Sequence, residues 1–416
     1  MGTPRQIQTV SEKDIVECYN YMLGRWLVLR QETLDLKEGF KWNELIHREP
    51  GGVTWANPNL DVAYSEAWVF VDGSSCTIVE LPEIKGRYYT VQVLNGWGEV
   101  TANINERNYP KHPFGKFALC LKGAKIGLPA DTLRIDLPGR KARVLIRVEL
   151  GASPAEAVAL QKRITMKATG NPRVEPTAAT FEFTNDKLPG VEAFESAEAV
   201  LASEPDINPG TDALQARVRA LAAAIAGSTI ERSRVDSIIR QEAWPALKRH
   251  VASMGAFSNG WVHPRMAGHY GNEWFMRTVA NFIGIWANDQ AEVVYFGAGV
   301  ATPLSGSDTH TATFAKDNLP SSHVRYFWSV TCVDAVQYRV IPNPRNRFLL
   351  NNQSQLVLGK DGSLTLFFAP QKPAEAPEGN WLPTPAGQNY VLTWRVYGPD
   401  QEIVSGKWFP APLQKK

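Results

Sequence analysis

The sequence predicts a mainly β protein with α: two antiparallel β-sandwich or jelly-roll-like domains flanking a helical middle segment, preceded by an N-terminal amphipathic helix. Three observations predict it. The 416-residue length exceeds one ordinary core. Short alternating apolar runs punctuated by Gly and Pro fill both ends of the chain. Between them lies a stretch with helical period. The boundaries read as residues 1–50 for the helix and linker, 51–152 for the first β domain, 153–286 for the helices and 287–416 for the second β domain.

The N-terminal helix rests on Ser11 with Asp14 three residues on, a capping pair. Ile15, Tyr19, Met22, Leu23, Trp26 and Leu27 follow at helical spacing, so the helix is expected to pack on the first sheet. In the first β domain, Ala67–Val71 runs into Asp72-Gly73, Thr77–Leu81 stops at Pro82, Tyr88–Val93 follows Gly86, and Arg143–Glu149 closes the series. Ser153-Pro154-Ala155-Glu156 opens a helix expected over 153–166. Further helices fall near 193–203, 209–226 and 229–253, the last interrupted by Pro245. Segment 255–272, rich in Gly, His and aromatic residues, reads as an ordered loop before a helix from Trp274 to Trp286. Strands return at 292–296, 311–314, 325–333, 363–369 and 389–397. Asp361-Gly362 marks a hairpin turn, and the Pro-rich piece 370–385 an irregular crossing.

Composition narrows the function. With 44 Lys and Arg against 42 Asp and Glu there is no basic stripe, so a nucleic-acid partner is not expected. Neither a secretory signal at Met1–Gln8 nor an apolar run long enough to span a bilayer is visible. Cys18, Cys76, Cys120 and Cys332 lack CxxC spacing, and free thiols in a reducing cytoplasm are the simplest expectation. There is no GxGxxG before a helix, Walker loop or HExxH, so no cofactor and no metal are called for.

Four clusters carry candidate chemistry. Asn57, Asn59, Asp61 and Tyr64 would build Asx turns, or would place Asp61 as base and Tyr64 as donor at a cleft, with Asn59 on the substrate. On the next strand Tyr88, Thr90 and Gln92 share a face opposite Arg87, Tyr89 and Val91. Tyr88 and Gln92 would line a pocket, or a core, while Arg87 binds an anion or a neighbouring carboxylate. In the third cluster His263, His269, Tyr270, Trp274 and Arg277 would serve a cleft, with His269 catalytic, or would brace the loop. Asp308 and His310 fall on one strand face, where the carboxylate can orient the ring. No nucleophile elbow completes a triad.

Asn59-Leu60-Asp61-Val62-Ala63-Tyr64 and Gly86-Arg87-Tyr88-Tyr89-Thr90-Val91-Gln92 resemble the domain of unknown function numbered 1254. Gly268 to Gly271, Phe327-Trp328-Ser329-Val330-Thr331, Asp361-Gly362-Ser363-Leu364 and Asn380-Trp381-Leu382-Pro383 resemble the companion domain numbered 1214. The resemblance spans roughly residues 50–412 and implies two β-sandwiches flanking helices, with no particular activity. The chain departs from the pattern at Val62, where the family has Thr, and at Asp308 and His310, where relatives carry Asn and Tyr. The functional expectation is a cofactor-independent enzyme, hydrolase or lyase, working by acid/base chemistry on a polar or carbohydrate-like small molecule. The alternatives are a non-catalytic binder of carbohydrates or aromatic ligands and a homo-oligomeric scaffold subunit. The enzyme reading requires the clusters near residues 60 and 265 to share one hollow.

Overall fold

The structure, a computed structural model, describes residues 10–51, 58–178 and 181–416. Its strands form four sheets, none closed, which pair into two sandwiches. In the first sandwich a five-stranded sheet, central strands Val62–Phe70, Lys141–Glu149 and Tyr89–Leu94, faces a four-stranded sheet built around Thr77–Leu81 and Gly115–Leu121. Alternation explains the packing. Ala67 and Val69, Val91 and Val93, and Val144, Ile146 and Val148 point into a common core with Val79, Phe117 and Leu119. In the second sandwich a seven-stranded sheet, centred on Asn389–Pro399 and Val324–Asp334, contributes Trp394, Val396, Trp328 and Val330. These meet Ala312, Phe314, Leu366 and Phe368 of a four-stranded sheet. Each outer sheet contains one parallel pair, Gly115–Leu121 with Thr132–Leu137 and Leu364–Ala369 with Trp381–Pro383, so the sheets are mixed rather than wholly antiparallel. The second of these places a short strand inside the expected Pro-rich crossing.

The two central sheets turn their opposite faces toward each other, and these faces are polar and aromatic. Tyr64, Thr90, Gln92 and Arg147 come from the first sheet, and Tyr295, Phe327, Ser329, Arg395 and Tyr397 from the second. Tyr88, Tyr397 and Phe327 pack in one cluster between them, with Tyr88 and Tyr397 rings 4.8 Å apart. At the centre, Glu292 accepts from the Tyr88 hydroxyl (3.0 Å) and the Asn105 amide (3.0 Å) and pairs with Arg107. Arg107 also lies over the Tyr88 ring at 5.2 Å.

The N-terminal helix, Glu12–Glu38, starts as expected: the Ser11 hydroxyl accepts from the Asp14 N–H at 3.1 Å. Its environment differs from the expectation. It is not amphipathic, because every residue from Cys18 to Leu29 is buried. One side packs on the middle helices through Trp26 and Leu27; Val28 packs on the first sheet with Trp68, Leu94 and Leu145. Several polar groups on it are paired at long range, as when Arg25 donates to the Gly96 carbonyl at 2.5 Å and the Ser203 hydroxyl at 2.9 Å.

Two further expectations change. Segment 255–272 is not all loop. Gly255–Ser258 and Trp261–Pro264 form a hairpin whose turn residues, Asn259 and Gly260, both have positive φ (58° and 85°), as a two-residue type I′ turn requires. The helix opening at Pro154 ends at Lys162, short of residue 166, and the chain enters strand Thr165–Ala168. Ser153 makes no side-chain cap bond. Pro245, lacking an N–H, follows a π-turn over Ile239–Ala243, after which the helix continues to Ala252.

Cys76 and Cys120 are joined in a disulfide, and only Cys18 and Cys332 are free, both buried. The pairing follows from register: Thr77 sits opposite Leu119, so Cys76 falls opposite Cys120. The expectation of four free thiols is thereby corrected. Among the described residues no helix is long and apolar enough to cross a membrane.

Three outcomes test this architecture. Alkylation of the denatured chain should label two cysteines without reductant and four with it; four labels in both would refute the bridge. Glu292→Ala removes the acceptor shared by Tyr88, Asn105 and Arg107 and leaves Arg107 with Glu106 as its carboxylate, and should cost roughly 1–3 kcal/mol in chemical denaturation. The Glu204 side chain is wedged against Gly96 and Gly139, and burial raises its carboxyl to about 7 despite Arg25 and Lys141 nearby. The folded state therefore holds a proton that the unfolded chain releases. Stability from this group is full below the ordinary carboxylate range and is lost as pH rises through about 7. Glu204→Gln should raise unfolding free energy by about 1–3 kcal/mol at pH 8 and change little at pH 4.

Candidate functional site

A cleft of about 540 Å³ opens where the two sandwiches meet, lined from the first domain by Leu60, Asp61, Glu149 and Leu150 and from the second by Phe327, Arg345, Arg347, Asn351 and Asn352. Local chain chemistry places Asp61. Asn59 Oδ1 accepts from the Asp61 N–H at 2.9 Å, an Asx turn leading into strand Val62–Phe70, and the Asn59 amide donates to the Tyr397 hydroxyl at 2.6 Å. The Asp61 carbonyl accepts from the Leu150 N–H at 2.8 Å, tying it beside the end of strand Lys141–Glu149.

The Asp61 side chain is 5% exposed, and its Oδ1 accepts from the Asn351 amide at 2.7 Å. Burial raises its carboxyl above the usual range, against the Ser329 hydroxyl, the Asn351 amide and the Arg395 charge, which favour the ionised form. The Glu149 carboxyl is raised as well. Burial is again the main cause, the Tyr88 N–H at 2.8 Å and Arg87 oppose it, and the charge of Asp61 adds to it. Two desolvated carboxyls that feel each other on one cleft wall are the kind of pair that proton-transfer sites use.

The other sequence candidates divide among several places. Arg87 donates to the Glu149 and Leu150 carbonyls and pairs with Glu156, bracing the cleft wall from behind. Tyr88, Thr90 and Gln92 do share a face, and it is the buried one between the central sheets. There the Gln92 amide donates to the Trp286 and Ala287 carbonyls, and its oxygen accepts from Arg147. The same Arg147 reaches the Tyr64 hydroxyl at 3.4 Å and lies over the Tyr64 ring. His263 is in the second sandwich, bonded to the Ile403 carbonyl at 3.0 Å and edge-on to Phe296, and burial lowers its pKa. Tyr270 and Arg277 meet on Glu99, the first through its N–H at 3.0 Å and the second at 3.3 Å; Arg277 also grips Asp206 with both terminal nitrogens. Trp274 stacks on Phe275 and meets the edge of Tyr21.

His269 is largely exposed, its Nδ1 2.6 Å from Asp289, whose hydrogen bond raises its pKa. Asp289 Oδ2 accepts from Asn103, which leads through Thr90 and Asn105 to Glu292 and Tyr88. The junction cleft is lined by Asp61 and by none of His263, His269 and Tyr270, which corrects the expected meeting of the two clusters in one hollow. Asp308 pairs with Lys415 at 2.8 Å, and His310 with the Tyr390 hydroxyl at 3.0 Å, so the carboxylate does not orient that ring. Asn57 lies outside the described residues.

Sequence reasoning passed over Glu149, Arg345, Arg347 and Asn351. The signal for the last three was the density of Arg and Asn in Asn343–Asn352, with Arg345, Asn346 and Arg347 together and Asn351-Asn352 at the end. Among the described residues, His323, Asp400 and Glu402 bring potential metal-ligand atoms close together. The His323 ring faces acceptors on both sides, Asp400 at 2.7 Å and Asn318 Oδ1 at 2.9 Å, and the Trp408 N–H donates to that same Asn318 oxygen.

A solved structure of the VPA0106 protein from Vibrio parahaemolyticus superimposes on 98% of this chain and 100% of its own, with a TM-score of 0.69 at 16% identity, a likeness of fold. An uncharacterised protein from Burkholderia cenocepacia aligns over 94% of this chain and 87% of its own, with a TM-score of 0.47 at 13% identity. No curated protein matches the sequence. Residues 42–168 match the family described as protein of unknown function (DUF1254) and residues 292–401 that described as protein of unknown function (DUF1214), and the chain belongs to the proteins that carry these two domains in this order.

Proposed function

We propose that the chain is a cofactor-independent enzyme of the acid/base type, a hydrolase or lyase, acting on a polar, carbohydrate-like small molecule in the junction cleft. The observation that carries this reading is the desolvated Asp61 carboxyl on the cleft wall, beside a second raised carboxyl, Glu149. Amide groups of Asn351 and Asn352 offer hydrogen bonds to hydroxyls, and Phe327 and Phe348 supply the apolar area such clefts use for orientation. Tyr88 and Trp274 are engaged with other rings, which argues against the aromatic-platform alternative. The Cys76–Cys120 bridge favours an oxidising compartment over the cytoplasm as the place of work.

Asp61→Asn preserves the side chain's shape and its acceptor for Asn351. On this reading it should lower turnover by about 10²- to 10⁴-fold while ligand affinity, followed by calorimetry, changes little. A wild-type protein that binds polyols yet never yields product would make it a binding protein instead.

A further inference from the structure

We infer that the ligand of the junction cleft is an anionic polyol, a sugar acid or sugar phosphate whose charged group is held by Arg345 and Arg347; this rests on the cleft being a polar-ligand site. The two guanidinium groups come from one short loop that is built in advance. Asn343 Oδ1 accepts from the backbone N–H groups of both Arg345 (3.1 Å) and Arg347 (3.3 Å), and its amide donates to the Arg347 carbonyl at 2.9 Å. Asn346, between them, takes a left-handed conformation with φ 48°. The loop thus turns sharply, and consecutive residues from Arg345 to Leu349 line the cleft.

The charge on this wall is not balanced. Arg345 and Arg347 share one carboxylate, Glu378, at 2.8 Å and 3.5 Å. Arg347 is otherwise bonded to carbonyls, including that of Trp381 at 3.1 Å, which carry no charge. Two guanidinium groups with one counter-ion leave an excess of positive charge, and their planar forks suit the paired oxygens of a carboxylate or phosphate. The facing wall is of the other kind. Asp61 and Glu149 put two carboxyl groups there, beside which a further anion is disfavoured and hydroxyls are suited. Asn352 Oδ1, also on the lining, is a buried acceptor with no donor. A molecule with its anionic group at one end and hydroxyls at the other satisfies both walls. A neutral sugar leaves the arginines unused, and a dianion without hydroxyls leaves the acid wall unmet.

The test is calorimetric titration of the full chain with glucuronate, glucose 6-phosphate and glucose, repeated with Arg347→Ala and Arg345→Gln. Arg345 is half exposed, so its variant keeps the loop folded if Arg347→Ala does not. The expected result is binding of one or both anionic sugars at least about tenfold more tightly than glucose. That preference should weaken with added salt and shrink in either variant. Glucuronate without the phosphate, or the reverse, tells which anionic group the loop takes. Equal binding of all three sugars, or a preference untouched by both variants, overturns this inference and leaves the polar-ligand reading standing. Absence of binding by any of the three overturns both.

Discussion

The desolvated carboxylate of Glu292 is the interaction on which the arrangement of the two sandwiches depends. It is held by the Tyr88 hydroxyl, the Asn105 amide and the Arg107 guanidinium, groups that all come from the first domain, while Glu292 leads into the second. A buried charge is tolerated only when its partners are complete. The surrounding rings of Tyr88, Tyr326, Phe327 and Tyr397 keep water away and strengthen each bond in the set. An apolar interface would hold the sheets together over a range of angles. A network of directional bonds specifies one.

That specification positions the cleft. Asp61 leads into one strand of the first central sheet and Glu149 ends its neighbour, while Asn351 belongs to the edge of the other. They approach only because the two sheets face each other. The N-terminal helix adds a second tie, since Val28 lies on the first sheet while Trp26 and Leu27 lie among the middle helices. Helix Trp274–Gly284 adds a third, with Asn281 donating to the Gly24 and Trp97 carbonyls. Both domains and the helices are thus cross-braced, by apolar packing along the N-terminal helix and by buried polar groups that have no solvent to fall back on at Glu292 and Asn281.

Much of the secondary structure was readable because strand alternation is a local property. The shared face of Tyr88, Thr90 and Gln92 came directly from the period of two, as did the strands at 310–314 and 324–334. What lay opposite that face was not readable, because the same polar alternation fits a solvated surface and a sheet buried by a second domain. The N-terminal helix was misjudged for a related reason. Its polar residues find partners far along the chain, Arg25 in Gly96 and Ser203 and Glu32 in Lys141, which no local period records. The disulfide left no trace in cysteine spacing, because it depends on the register of two strands. The Asn259-Gly260 turn was legible by its chemistry and was masked by the aromatic residues around it. In the candidate site Asp61 and Asn59 stood out, while Glu149 passed as an ordinary strand end and the Arg345–Arg347 loop carried no period at all.

The Asn343-braced loop and the bonded sheet faces together mean that the cleft exists before any ligand arrives. Its walls are hung on frameworks whose bonds are already made, so little ordering entropy remains to be lost on association. On the proposed function, selectivity resides in ground-state shape and charge, and entry should be governed by diffusion and electrostatic steering rather than by a slow domain movement. The same rigidity makes distant seam residues silent partners in recognition: a change at Arg107 or Tyr326 would retune the spacing between the two walls without touching either.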